Sequence, residues 1–319
     1  MQIEGLRAQM IAGRAEALRK VLSSCMLCPR RCKADRLRGK MGFCHIGTTI
    51  KIARAVPHIG EEPVISGTHG AGTIFFSGCH LGCVYCQNFQ ISHEGLGSDF
   101  TVDGLATVML GLKERGCHNI ELVSATHVLP FVLEALAIAV DRGLDLPVVL
   151  NSGGFEAPET IAMLDGIVDI YLPDAKYALA DVGLDLSGVS AYPHWNELAL
   201  DEMVRQVGTS LEIRDGVAVR GIIVRHLILP GYIENSKAVL KWLADRYGTD
   251  VHLSLMSQYF PAYKAGNHPI LSRRLRKREY EEVVGYALEL GFKNGWIQEF
   301  DDRWPLEYPD FRLEVDTME

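Results

Sequence analysis

Three cysteines, Cys79, Cys83 and Cys86, stand in the run Cys-His-Leu-Gly-Cys-Val-Tyr-Cys, directly after the apolar stretch 73–77 and Gly78. Three thiolates in so short a loop can occupy three corners of an iron–sulfur cube. The fourth iron then has no protein ligand close by in sequence, and an open iron is a place for substrate chemistry rather than for electron storage alone. Zinc is the alternative; it needs a fourth ligand at suitable spacing, for which His80 and His93 are the nearest histidines. A separate set, Cys25-x2-Cys28-Pro29-Arg30-Arg31-Cys32 with Cys44 beyond it, supplies enough thiolates to close the shell of zinc or of a 4Fe–4S cluster. Pro29, Gly39 and Gly42 supply the sharp turns that let these four converge. The residues leave both metals open. The remaining cysteine, Cys117, reads as a small buried apolar residue.

Such loops need rigid elements to aim them. Short, largely β-branched apolar runs at 73–77, 119–124, 147–151, 168–173, 221–229 and 251–256 read as strands covered on both faces. Helical patterns fall at 103–115, 131–142, 158–164, 194–207, 235–246 and 276–290. Alternating strands and helices of this kind predict an α/β fold, a partial (β/α)6 TIM-like barrel around a parallel sheet. Residues 1–60 form a separate segment by composition, an amphipathic helix with Ile3, Leu6, Met10, Leu18 and Leu22 on its apolar face, then the Cys-rich metal-binding stretch. Residues 61–319 make the barrel with a C-terminal extension.

In a (β/α) barrel, function gathers where strands end and loops begin. The second run ends Ser124-Ala125-Thr126-His127, and the third Asn151-Ser152-Gly153-Gly154. Asn and Ser can hydrogen-bond ribose hydroxyls, while paired glycines let a ligand approach the backbone or simply serve the turn. At the end of the fourth run, Asp174 and Lys176 lie on the same side of an extended chain, as a binding shelf or as a surface ion pair. Arg225 on the fifth run is a candidate for contacting a carboxylate. The sixth leads into Gln258 and Tyr259.

A net charge of −8 argues against a nucleic-acid-binding surface. The one dense basic run, 273–278, reads as the solvated start of a helix. Charges interrupt the first residues too often for a secretion signal, and no stretch reaches the ~20 apolar residues of a membrane span. Eight cysteines without a secretory context point to metal ligation rather than disulfides, and so to a reducing cytoplasm with oxygen-labile clusters.

The C-x3-C-x2-C loop resembles the signature of the radical S-adenosylmethionine (SAM) superfamily. With Cys-x-x-Cys-Pro-Arg-x-Cys, Gly60-Glu61-Glu62-Pro63, Ser66-Gly67, 72–79, Cys86-Gln87-Asn88 and the Asp-x-Lys element, the chain looks like the pyruvate formate-lyase activating enzyme homologue group. The resemblance implies a 4Fe–4S cluster on Cys79, Cys83 and Cys86 whose open iron chelates SAM. Reductive cleavage then gives a 5′-deoxyadenosyl radical that abstracts a substrate hydrogen. It places Tyr85, Asn88, Ser124, Thr126, Asn151, Ser152, Gly153, Asp174, Lys176 and Arg225 around the cofactor, with Lys176 facing its carboxylate and the backbone near Thr126 its amino group. It also implies a one-electron donor such as flavodoxin or ferredoxin, and a glycyl radical enzyme as protein substrate. True activases usually carry Asp-Gly-Pro-Gly-x-Arg before the cysteine loop, whereas this chain has Thr68-His69-Gly70-Ala71-Gly72-Thr73. A radical modifier of a metabolite or of another polypeptide, or a plain iron–sulfur electron carrier, are the competing expectations.

Overall fold

In the computed structural model, which describes residues 2–300 and residue 311, each of the six apolar runs becomes a strand. The strands are β1 (Ile50–His58), β2 (Ala71–Phe76), β3 (Ser98–Phe100), β4 (Ile120–Val123), β5 (Val148–Ser152), β6 (Ile170–Pro173), β7 (Glu212–Arg214), β8 (Val217–Leu227), β9 (His252–Met256) and β10 (Gly295–Ile297). Their order is β10-β9-β8-β6-β5-β4-β2-β1-β3, with β7 paired to β8 off this path. From β2 to β10 neighbouring strands along this path are parallel; β1 runs antiparallel to both β2 and β3. The path does not close, so the barrel is partial.

The helices are α1 (Gln2–Val21), α2 (Pro63–Ser66), α3 (Phe89–Ser92), α4 (Val102–Glu114), α5 (Leu129–Asp141), α6 (Pro158–Ala162), α7 (Ala180–Ser187), α8 (Tyr192–Val207), α9 (Ile233–Tyr247) and α10 (Lys277–Leu290). Strand side chains alternate between two cores, as a pleated strand requires. Ile74, Leu122, Leu150, Tyr171 and Val224 face the helices in the main core. Ala71, Val149, Ile170, Leu172 and Ile223 face the other way and meet Ile65 of α2 in a second buried cluster, which strands of a flat sheet cannot share.

The division near residue 60 runs between two strands of one sheet, because β1 precedes it and pairs with β2 from Ile52 to His58. The apolar face expected of α1 is shifted. Leu6 and Met10 are 66% and 37% exposed, and the buried side is Ala8, Ile11, Ala15, Leu18 and Leu22, spaced by threes and fours. That face packs on α5, with Arg19 bonded to Glu134 at its rim. The basic run opens α10: Arg273 pairs with Glu279, whose carboxylate also accepts the Arg276 N–H at the helix start. Cys117 is buried. No helix among the described residues is long and apolar enough to cross a membrane.

Candidate cluster and cofactor site

β2 delivers the chain to Ser77 and Gly78 at what would be the mouth of the barrel. Gly78 has φ +83°, and a Cβ there would lie 2.7 Å from the Cys44 carbonyl oxygen and from Ile46, so only glycine fits this crossing. The loop that follows buries its thiols. Burial, reinforced by the neighbouring thiols, raises Cys79 well above the usual thiol range and pushes Cys86 up to about 11. Such groups stay protonated until a metal takes the thiolate. Hydrogen bonds are already aimed at the sulfurs: the Ser187 hydroxyl donates to Cys83 Sγ at 3.0 Å, Leu81 N–H to Cys79 Sγ at 3.4 Å, and Ser92 Oγ lies 3.1 Å from Cys86 Sγ. Bonds of this kind tune cluster thiolates. His80 turns its Nε2 to the Phe155 carbonyl (2.8 Å), and His93 stacks on Tyr263. Among the described residues no three His, Cys, Asp or Glu side chains surround a single ion position. The thiolates of a cube stand at separate corners and do not require one.

Across from this loop lies a polar layer inside the barrel. Lys176 Nζ donates to Asp174 Oδ2 at 2.5 Å, and Arg225 donates to Asp174 (3.3 Å), Glu61 (2.8 Å) and Asn151 (2.6 Å). Asn151 in turn donates to Glu121 at 2.7 Å, whose other oxygen accepts from Thr73 at 2.5 Å. Burial opposes charge on Asp174, but Lys176 and Arg225 outweigh it and hold its carboxyl below the usual range. Burial likewise opposes charge on Lys176, and the Asp174 carboxylate outweighs it and keeps the lysine protonated. Lys176 therefore presents a fixed positive charge beside Gly153, against which Leu81 of the cysteine loop also packs. The Asp-x-Lys pair is partly buried, so it is not a surface ion pair.

The other expected residues divide. Tyr85 is buried and its hydroxyl meets Tyr177 at 2.7 Å, which reaches Ser187 at 2.8 Å and so Cys83. Ser124 has φ +55°, and its N–H bonds Asn151 O. Thr126 is fully buried with its hydroxyl unpartnered. Ser152 Oγ accepts Gly154 N–H, and Gly153 lies against Leu81 of the cysteine loop, where a Cβ would stand 2.7 Å from Cδ1. Gly154 turns at φ +73°, where the Asp174 carbonyl already fills the space of a Cβ. Asn88 caps α3 with its carbonyl. His127 instead faces away from this layer: Nε2 donates to Ser77 O at 2.7 Å, and burial pushes its pKa down to about 3. Gln258 accepts from Gln87 through its backbone, and Tyr259 bonds Leu271 O.

Sequence reasoning missed Glu121 and Glu61. Glu121 is a lone carboxylate in the apolar run of β4, and a charge in a strand covered on both faces needs a partner. That signal was available; the identity of the partners was not. Tyr192 and Asn196, which clamp the Asp174 carbonyl at 2.9 and 3.0 Å, lie on α8 and carry no such mark.

The second cysteine set also converges. Cys25, Cys28, Cys32 and Cys44 line one pocket together with Arg36, His80 and His127. Arg36 is 1% exposed, and its Nη1 lies 3.8 Å from Cys25 Sγ and 2.8 Å from His127 O. Burial pushes Cys28 up to about 12.

No family model matches the chain. A Methanocaldococcus jannaschii protein described as uncharacterized protein MJ0674 is 29% identical over 293 residues, covering 89% of this chain and 80% of that protein. Among solved structures, native anSMEcpe with bound AdoMet is similar at TM-score 0.45 and 10% identity, over 67% of this chain and 57% of that one. Methylornithine synthase (PylB) is similar at TM-score 0.43 and 13% identity, over 66% and 59%. The chain spans less than two thirds of either solved structure.

Proposed function

We propose that this chain is a radical SAM enzyme. One observation carries the reading: Cys79, Cys83 and Cys86 share a loop at the end of β2, and the ion-paired Lys176, from the end of β6, lies against Gly153, where Leu81 of that loop also packs. The three thiols of one loop and the hydrogen bonds at their sulfurs fit a 4Fe–4S cluster with one open iron. When bound, cluster and SAM together supply one-electron cleavage of the cofactor to a 5′-deoxyadenosyl radical that takes a hydrogen atom from substrate. Lys176 offers the cofactor carboxylate a charge-assisted hydrogen bond. Asp174 and Arg225 hold that lysine in place, and the Tyr85–Tyr177–Ser187 chain fixes the loop.

A plain electron carrier has no use for the Lys176–Asp174–Arg225 shelf. Anaerobic reconstitution with iron and sulfide, then dithionite and SAM, should yield 5′-deoxyadenosine; a fully loaded protein that leaves SAM intact refutes the enzyme reading.

Within that class we infer membership of the pyruvate formate-lyase activating enzyme homologue group, acting in the cytoplasm under anaerobic conditions with flavodoxin or ferredoxin as electron donor. Gly60-Glu61-Glu62-Pro63 and Cys86-Gln87-Asn88 support it. If the substrate is a glycyl radical enzyme, incubation with host lysate should leave a glycyl radical signal in electron paramagnetic resonance (EPR) on a partner protein. Deuterium transfer into 5′-deoxyadenosine from a small molecule would identify a metabolite substrate instead.

A further inference from the structure

We propose that Cys25, Cys28, Cys32 and Cys44 hold a second, redox-active iron–sulfur cluster built directly against the loop of Cys79, Cys83 and Cys86. The four thiols come from a segment whose own turns close on themselves: Cys25 N–H bonds Ala34 O, Lys33 N–H bonds Cys25 O, and Arg31 N–H bonds Cys28 O, all at 3.0 Å. They line one pocket, and four thiolates can complete the shell of a cluster with no free coordination position.

The charges at the site favour an anionic occupant. Two guanidiniums stand there. Arg36 touches Cys25 Sγ and Gly47 O, and Arg30 lies in the field of Cys28, Cys79 and Cys83 while donating to His80 O at 3.0 Å. Buried positive charge beside thiolates favours the more negative, reduced state of a cluster.

The two loops are in direct contact. Cys44 O and Ile46 press on Gly78, the residue before Cys79, and His80, the residue after it, lines the pocket. Resting on the enzyme reading above, the redox step is a one-electron relay. A low-potential one-electron donor reduces the N-terminal cluster, which returns to its oxidised state as the same electron passes to the cluster on Cys79, Cys83 and Cys86; no proton or group moves.

The test begins with the full chain carrying Cys79→Ala, Cys83→Ala and Cys86→Ala, reconstituted anaerobically with iron and sulfide. It should hold about four irons, by the composition of a cube, and give a reduced-cluster EPR signal with dithionite. One zinc and no iron, or no metal in a folded chain, overturns the proposal. Should that variant not fold, Cys28→Ala/Cys32→Ala replaces it, leaving only two of the four thiols; iron should fall from about eight to about four per chain, and an unchanged count overturns the site. In the fully reduced wild type the two signals should broaden each other; a spectrum equal to the sum of the single-site spectra overturns the close placement. The first arm cannot cleave SAM, so it stands or falls independently of the enzyme reading.

Discussion

Lys176 carries a charge into a place where burial alone would remove it, and only Asp174 at 2.5 Å and the surrounding groups retain it. Asn151 differs: it is neutral, and both ends of its amide are used within the protein, on Arg225 and Glu121. The two residues should therefore fail differently. Lys176→Ala should weaken SAM binding by about 1.5–3 kcal/mol, the range of a hydrogen bond to a charged group. Asn151→Ala should cost less binding but about 1–3 kcal/mol of stability, because it leaves buried partners unmade. Equilibrium dialysis with SAM and urea unfolding separate the two effects; the reverse pattern would remove Lys176 from the cofactor site. Cys83→Ala should abolish 5′-deoxyadenosine formation while circular dichroism stays native, since the thiol lies in a loop and not in a strand or helix. Product formation at the wild-type rate would refute the assignment.

Elements decide how much of this could be anticipated. The six strands of the barrel were legible because each is a largely apolar, β-branched run, broken by few polar residues. β1 was not: Lys51, Arg54 and Pro57 interrupt it, and it sits in a stretch whose cysteines and glycines suggest loop. Its place is set by pairing with β2, a long-range contact that no local pattern encodes. α1 was legible as a helix but not in its rotation, because Leu6 and Leu18 look alike in sequence and only packing on α5 distinguishes them. Ile11→Ala should lower stability by about 2–5 kcal/mol as a large-to-small change at a fully buried site. Leu6→Ala should stay within about 0.5 kcal/mol at an exposed one. Urea denaturation of both variants checks the assigned face, and equal losses would place it elsewhere.

For the whole molecule, buried titratable groups set the response to pH. His226 is enclosed between Ala175 O and Ser236 Oγ, and burial pushes its pKa from 6.5 down to about 4. Between those values the unfolded chain binds the extra proton, so stability rises with pH there and is lost as pH falls. Glu61 acts in the opposite sense. Burial, with Glu121 close by, pushes its carboxyl from 4.5 up to about 8, so the folded chain binds the extra proton and stability declines as pH rises through that window. Between about pH 4.5 and 6.5 Glu61 opposes both His226 and His127, whose pKa burial also pushes down, and above that range the decline from Glu61 remains. Urea unfolding across this range should show that decline, and Glu61→Gln should flatten it; an equally steep loss in the variant would refute the role of Glu61.

The sequence by itself determined the thiol sets, the alternating strands and helices and the Asp-x-Lys element, because these rest on residue type and short spacing. Only the tertiary structure decided that Arg225 links Asp174, Asn151 and Glu61, that His127 faces the second cysteine set, and that Cys44 presses on Gly78. Those contacts join residues far apart in the chain, and their partners are chosen by strand order and packing. A lone charge in an apolar run announces that it needs a partner; the fold selects which one.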